Sequence, residues 1–211
     1  MMAWFDFLRS PRAAAVETLE IPLFPLNTVL FPEGRLSLKL FEQRYLDMAA
    51  ACLKDDSPFG VCLIASGSET GEPAQTHPVG TLARIGDWEM EQLGILLVTA
   101  RGGLRFRILE TREAPGRLLT AKVELLAAGE PLPLPPERRR LLPLVRRIVE
   151  DQGAQRLPGP HRYDDAEWIG CRISEVLPVQ NLAKQKLLEL EDPLARLEVL
   201  EQYLDQRRLL D

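Results

Sequence analysis

The stretch Ile21–Met48, IPLFPLNTVLFPEGRLSLKLFEQRYLDM, constrains this chain more than any other. Pro22 and Pro25 cannot donate ladder hydrogen bonds, so the strand around them lies at a sheet edge or is irregular. Phe31-Pro32-Glu33-Gly34 is a turn, because proline presets φ and glycine tolerates a left-handed backbone. Arg35–Leu40 then alternates, with Leu36, Leu38 and Leu40 on one face and Ser37 and Lys39 on the other, the mark of a half-buried strand. At Phe41 the period becomes helical: Phe41, Tyr45, Met48, Ala49 and Cys52 form one stripe. Strand, turn, strand and helix follow one another with almost no slack.

The β period continues downstream. Phe59–Ile64, VGTLARIGDW near His77–Trp88, and Leu93–Ala100 read as strands, and Arg101-Gly102-Gly103 reads as a turn. Leu104–Leu109 alternates, which places Leu104, Phe106 and Ile108 inward and Arg105 and Arg107 outward. Leu118–Leu126 alternates too, with Leu119, Ala121, Val123 and Leu125 on one face. The segment from Ala65 to Thr76 is polar and aperiodic, hence a surface loop. Six or seven short strands with one early helix define a compact barrel or sandwich.

Glu130-Pro-Leu-Pro-Leu-Pro-Pro136 disfavours both helix and sheet and marks an extended, semi-rigid linker. Everything beyond it has helical period. One stripe holds Leu141, Leu142, Leu144, Val145, Ile148 and Val149, and a loop follows over 152–160. A second helix is capped by Asp164 or Asp165 and carries Trp168, Ile169, Ile173, Val176 and Leu177 inward. Asn181–Leu190 is a third, and Asp192-Pro193 opens a fourth. Short connections between such helices make a small bundle. The fold class is therefore α+β: a terminal tail or short helix over 1–19, a barrel subdomain over 20–129, a linker over 130–136 and a bundle of about four helices over 137–211. Trp4, Phe5 and Phe7 in the first segment read as a short docked helix or a loose tail.

Composition excludes several classes. With 211 residues, 45% hydrophobic and 27% charged, the chain has enough apolar matter for a core and is not a disordered sequence. The net charge of −5 is spread along it, without the basic footprint of a nucleic-acid binder. Three cysteines at no recognisable spacing, Cys52, Cys62 and Cys171, suit a reducing compartment and the role of small buried hydrophobes. The start of the chain lacks the layout of a signal peptide and no apolar run approaches a membrane span, so a cytoplasmic location is expected.

No chemistry announces itself. There is no phosphate loop, no dinucleotide fingerprint, no H-E-x-x-H and no C-x-x-C. The G-x-S-x-G elbow is missing too, since Gly67-Ser68-Glu69-Thr70-Gly71 carries glutamate where the nucleophile belongs. The two histidines, His77 and His161, are far apart in sequence, and neither a metal nor a cofactor is expected. Glu42-Gln43-Arg44 sits on the polar side of the first helix, either as an ion pair between strand and helix or as a ligand contact. Arg105 and Arg107 form either cross-strand ion pairs or an anion-facing pair. Trp168 reads as core.

PLFPLNTVLFPEGRLSLKLFEQRYLDM resembles the start of the N-terminal, substrate-binding domain of Lon proteases. So do Val79-Gly80-Thr81-Leu82-Ala83-Arg84-Ile85 and Gly103-Leu104-Arg105-Phe106-Arg107-Ile108, in the same order and at similar spacing, over about residues 20–205. The resemblance implies a PUA-like pseudo-barrel followed by helices, and recognition of unfolded or exposed polypeptide. Whole Lon proteases continue into an ATPase and a Ser–Lys peptidase domain, and this chain, ending at Asp211, reads as a stand-alone N-domain with no catalytic residue to carry over. The expected function is a non-enzymatic polypeptide-recognition module, with a groove between barrel and bundle or an apolar patch on the barrel as its site. Glu42, Arg44, Tyr45 and Arg105 are the candidate contacts. A separate protease or chaperone is the further partner, and a homodimer is left open. The rival readings are an RNA-binding PUA-like barrel, which the acidic charge disfavours, and an enzyme with an unrecognised small-molecule site.

Overall fold

A computed structural model describes residues 17–127, 129 and 131–210, so Trp4, Phe5 and Phe7 lie outside the described residues. The strands are β1 (Thr18–Leu26), β2 (Arg35–Leu40), β3 (Phe59–Ser66), β4 (Gln75–Thr76), β5 (Val79–Gln92), β6 (Ile95–Glu113) and β7 (Leu119–Leu126). Helix α1 (Gln43–Asp55) interrupts them, and α2 (Leu142–Arg156), α3 (Ala166–Val176), α4 (Asn181–Glu189) and α5 (Pro193–Gln206) follow.

The pairing order β1-β7-β6-β5-β3 closes on itself because β3 also pairs β1. β1 makes that closure by changing partner midway. Thr18–Pro22 runs antiparallel to β7, and Leu23–Leu26 runs parallel to β3. The strand is thus irregular, and among the described residues each half has a ladder on one side only, which leaves room for residues that cannot donate. Inside the ring sit Ile21, Leu23, Cys62, Phe106, Ala121 and Val123. α1 plugs one end with Tyr45, Met48, Ala49 and Cys52, against Phe24, Leu40, Phe59 and Val98. The Phe24 and Tyr45 rings meet edge to face at 4.2 Å. Phe41 departs from the expected stripe: it precedes the helix and is exposed.

β6 runs unbroken through Arg101-Gly102-Gly103, where the sequence predicts a turn. Gly102 serves close approach. Its N–H donates to the Gly34 carbonyl at 2.8 Å and its carbonyl accepts from Glu33 N–H at 2.9 Å. A Cβ there would collide with the Phe31 carbonyl oxygen. In the turn itself the left-handed residue is Glu33 (φ 63°). A Cβ at Gly34 would meet the Glu175 carboxylate, which would have to shift to admit it.

The helices pack onto the ring through one shared core. Phe31 from the turn between β1 and β2 and Val79 from β5 join Leu141, Val145, Trp168, Ile169, Ile173 and Leu197. Residues 131–135 lie extended against the start of α3. Leu134 N–H donates to the Asp164 carbonyl at 2.7 Å, and Ala166 N–H to the Leu132 carbonyl at 2.9 Å. Asp165 caps α3, its carboxylate accepting from the N–H groups of Glu167 and Trp168. Trp168 is buried, whereas Val176 is turned to solvent. α2 runs to Arg156 with a break at Gly153, beyond the point where the sequence predicts a loop.

Candidate functional site

Two regions collect the residues that the sequence singles out, and a third holds others. The first is the junction of ring and helices. Arg105, expected to face outward to solvent, is only 8% exposed. Strand alternation does turn it out of the ring, but α4 and α5 cover that face. Its Nη1 donates to the carbonyls of Leu188 at 2.8 Å and Leu190 at 2.7 Å, at the end of α4. Arg196 of α5, fully buried, clamps the same end: Nε donates to the Leu187 carbonyl at 2.9 Å, and Nη2 to that of Leu190. Its Nη1 pairs with Glu167 at 2.6 Å. Two cations at a helix C-terminus satisfy its orphan carbonyls and its dipole together. Burial, and then the neighbouring Arg196, pull Arg105 below the usual guanidinium range.

Beside this clamp lies a groove of about 770 Å³ between ring and helices. Leu104, Leu125 and Trp168 give it apolar walls, and Glu33, Arg162 and Glu191 stand among its polar ones. Leu104, expected inward, lines this groove. A register shift between Thr81 and Ala83 on β5 changes the parity of β6 there. The polar groups are already paired: Glu33 with Arg162, and Arg107 with both Glu191 at 2.9 Å and its cross-strand neighbour Glu124 at 3.8 Å.

The second region is the start of α1. Glu42 pairs with Arg44 at 2.9 Å, so the pair is local to the helix start and does not tie strand to helix. The Arg44 guanidinium also donates to the Arg117 carbonyl at 3.2 Å and lies 4.6 Å from the Tyr45 ring centre. Tyr45 is buried, and burial raises its phenol above the usual range. Glu42, Arg44 and Tyr45 are therefore brought together, while Arg105 belongs to the clamp and shares no hydrogen bond or ion pair with them.

The third region escapes the sequence reading. β5 and β6 extend past the ring as a hairpin, with β2 alongside as a third strand. One face of this arm carries Leu36, Leu38 and Leu40 of β2, and Leu96, Val98 and Ala100 of β6. On β5 the face continues with Trp88, opposite Val98, and Met90, opposite Leu96. There the cover ends: Trp88 is 57%, Met90 59% and Leu93 at the tip 96% exposed. Leu40, Leu96 and Met90 stand abreast on the three strands, so the exposed Phe41 and then Glu42 leave the sheet beside them. The sequence signal was the alternation Trp88-Glu89-Met90-Glu91 running on to Gln92.

Burial raises the thiols of Cys52, Cys62 and Cys171, the last to about 12, which removes them as nucleophiles near neutral pH. Among the described residues no cluster of three or more His, Cys, Asp or Glu side chains has the layout of a metal site, and no helix is long and apolar enough to cross a membrane.

Comparison with known proteins places the fold. The chain belongs to the family of ATP-dependent protease La (LON) substrate-binding domains, whose model matches residues 20–206. It is 30% identical over 202 residues to Lon protease 2 of Herpetosiphon aurantiacus, covering 88% of this chain and 24% of that protein. The chain thus spans about a quarter of that relative's length. Among solved structures it is similar to the Lon N-terminal domain protein of Xanthomonas campestris, with a TM-score of 0.74 and 32% identity over 88% of this chain and 98% of that one. The N-terminal domain of Lon protease from Mycobacterium avium complex shares the fold at 17% identity and a TM-score of 0.63, over 89% of this chain and 98% of that one.

Proposed function

We propose that this chain is a non-catalytic recognition module for unfolded or exposed polypeptide, and that it takes its clients on the β-arm. The observation that carries the reading is the uncovered end of the arm's apolar face at Trp88, Met90 and Leu93. A contiguous exposed apolar surface on a folded domain marks an interaction site. Phe41 and Glu42 extend the patch at its rim, while Arg44 and Tyr45 hold the start of α1 in place behind it. Arg105 contributes by fixing the helices and not by touching the client. Membership of the substrate-binding family points to the same client chemistry, with a protease or chaperone as the downstream partner in the cytoplasm. RNA fits the arm poorly, because Asp87, Glu89 and Glu91 alternate with its apolar residues.

The test is binding of a permanently unfolded, carboxymethylated polypeptide, followed by fluorescence anisotropy. The Trp88→Ser/Met90→Ser double variant is expected to bind at least about tenfold more weakly, a change of ~1.4 kcal/mol. Absence of binding to the unmodified chain, or equal binding by the variant, overturns the assignment.

A further inference from the structure

Beyond Ala83, among the described residues, β5 has a strand neighbour on one side only. β3 pairs with it from Thr81 to Ala83 and then diverges; from Arg84 to Gln92 its ladder among the described residues is with β6. Register shifts between Ile85 and Asp87 and between Met90 and Gln92 bracket one regular run, Asp87-Trp88-Glu89-Met90, opposite Thr99, Val98, Leu97 and Leu96. Along that run successive side chains point to opposite faces. Trp88 and Met90 prolong the apolar face. Asp87 and Glu89 lie on the other, and neither has an ion-pair partner among the described residues, whereas Glu91 is held by Lys39 at 2.6 Å.

We infer that this edge accepts one extended strand of the client, joined to β5 by backbone hydrogen bonds, and that the strand it favours alternates apolar with basic residues. The inference rests on the arm being the client site. An open strand edge offers backbone groups that pair with any extended peptide, whatever its sequence, while its alternate side chains select. An added strand places one set of its side chains beside Trp88 and Met90 and the other beside Asp87 and Glu89, about 5 Å away. The run is about 13 Å long at ~3.3 Å per residue, room for four residues of client.

Acidic residues and bulges are also the usual protection of an edge strand against aggregation. Here they do that for one partner: a second copy of this edge would bring like charges opposite each other. An edge that was only shielded would not present two large apolar side chains at more than half exposure.

The experiment uses the full chain and labelled eight-residue peptides alternating valine with lysine. One version is N-methylated at every valine, one at every lysine, and one has glutamate in place of lysine. A strand held in one direction offers one of its edges to β5, so one methylated version should bind within about threefold of the parent and the other at least about tenfold more weakly. The glutamate peptide should also bind at least about tenfold more weakly, and Asp87→Lys/Glu89→Lys should reverse that preference. Methylated peptides that bind within threefold of one another, or a glutamate peptide that binds as well as the lysine one, overturn the inference. If the carboxymethylated polypeptide still binds and still responds to Trp88→Ser/Met90→Ser, the client site on the arm survives that outcome. If it does not bind, both fall together.

Discussion

The clamp at the end of α4 and the arm at the far end of β5 treat their side chains in opposite ways. At the clamp, two arginines are buried and donate to carbonyls at the helix end and to Glu167. At the arm, two large apolar side chains stand in solvent beside Asp87 and Glu89, which have no ion-pair partner among the described residues. Both places lie on or against β6, and both depart from the simple rule of apolar inside and charged outside. The clamp departs from it to join ring and helices. On the function proposed above, the arm departs from it because its cover is the client.

That contrast can be broken at either end. The largest effect is expected at Arg196. Arg196→Met leaves the carbonyls of Leu187 and Leu190 without that donor and Glu167 without its pair, and should lower unfolding free energy by about 3–5 kcal/mol in a denaturant titration. Arg105→Leu removes the other half of the clamp, where Leu190 keeps its bond from Arg196; about 1–3 kcal/mol is expected. A loss under about 0.5 kcal/mol in either variant would show that the clamp does not hold the helices.

Glu175 gives the next effect. Burial raises its carboxyl to about 7, against the pull of Arg172 at 3.1 Å and of Lys184, with Glu33 adding to the rise. The folded state therefore holds a proton that the unfolded state releases above its ordinary value of 4.5. This group's contribution to stability is complete below that value and lost as pH rises through about 7. Its side chain keeps 25% of its surface, so the expected size is reduced. Relative to the unmodified chain, Glu175→Gln should gain about 1–2 kcal/mol between pH 5 and pH 8, measured by urea unfolding at each pH. A parallel pair of curves would mean that the carboxylate is ionised throughout.

The smallest stability effect belongs to the arm. Trp88→Ser and Met90→Ser should each change unfolding free energy by less than about 0.5 kcal/mol, because neither side chain is buried. A loss of about 2 kcal/mol or more would show instead that both are part of the core.

Period made the elements readable. The alternation of Arg35–Leu40, the stripe of Tyr45, Met48, Ala49 and Cys52, and the Asp192-Pro193 helix start all appear as the residue pattern implies. What period cannot show is which face a later segment covers. Arg105 alternates outward from the ring, and only α4, more than seventy residues further on, turns that exterior into an interior. Gly102-Gly103 has the composition of a turn, yet Gly102 is small to admit the Phe31 carbonyl. Trp88 and Met90 failed in the reverse sense. The sequence reading ends their strand at Trp88, whereas β5 runs on to Gln92, and the exposure of both side chains is a property of the assembled molecule.

β6 is also a mechanical element. It is 19 residues long, with the arm at its start, the Gly102 contact in its middle and the Arg105 clamp and β7 ladder beyond. A tug along its axis on a client seated at the arm would load the ladders with β2, β5 and β7 in shear, so many hydrogen bonds would share the force at once. A tug across the axis would peel the arm from its tip, one bond at a time. The same strand is a stiff tether in one direction and a zipper in the other.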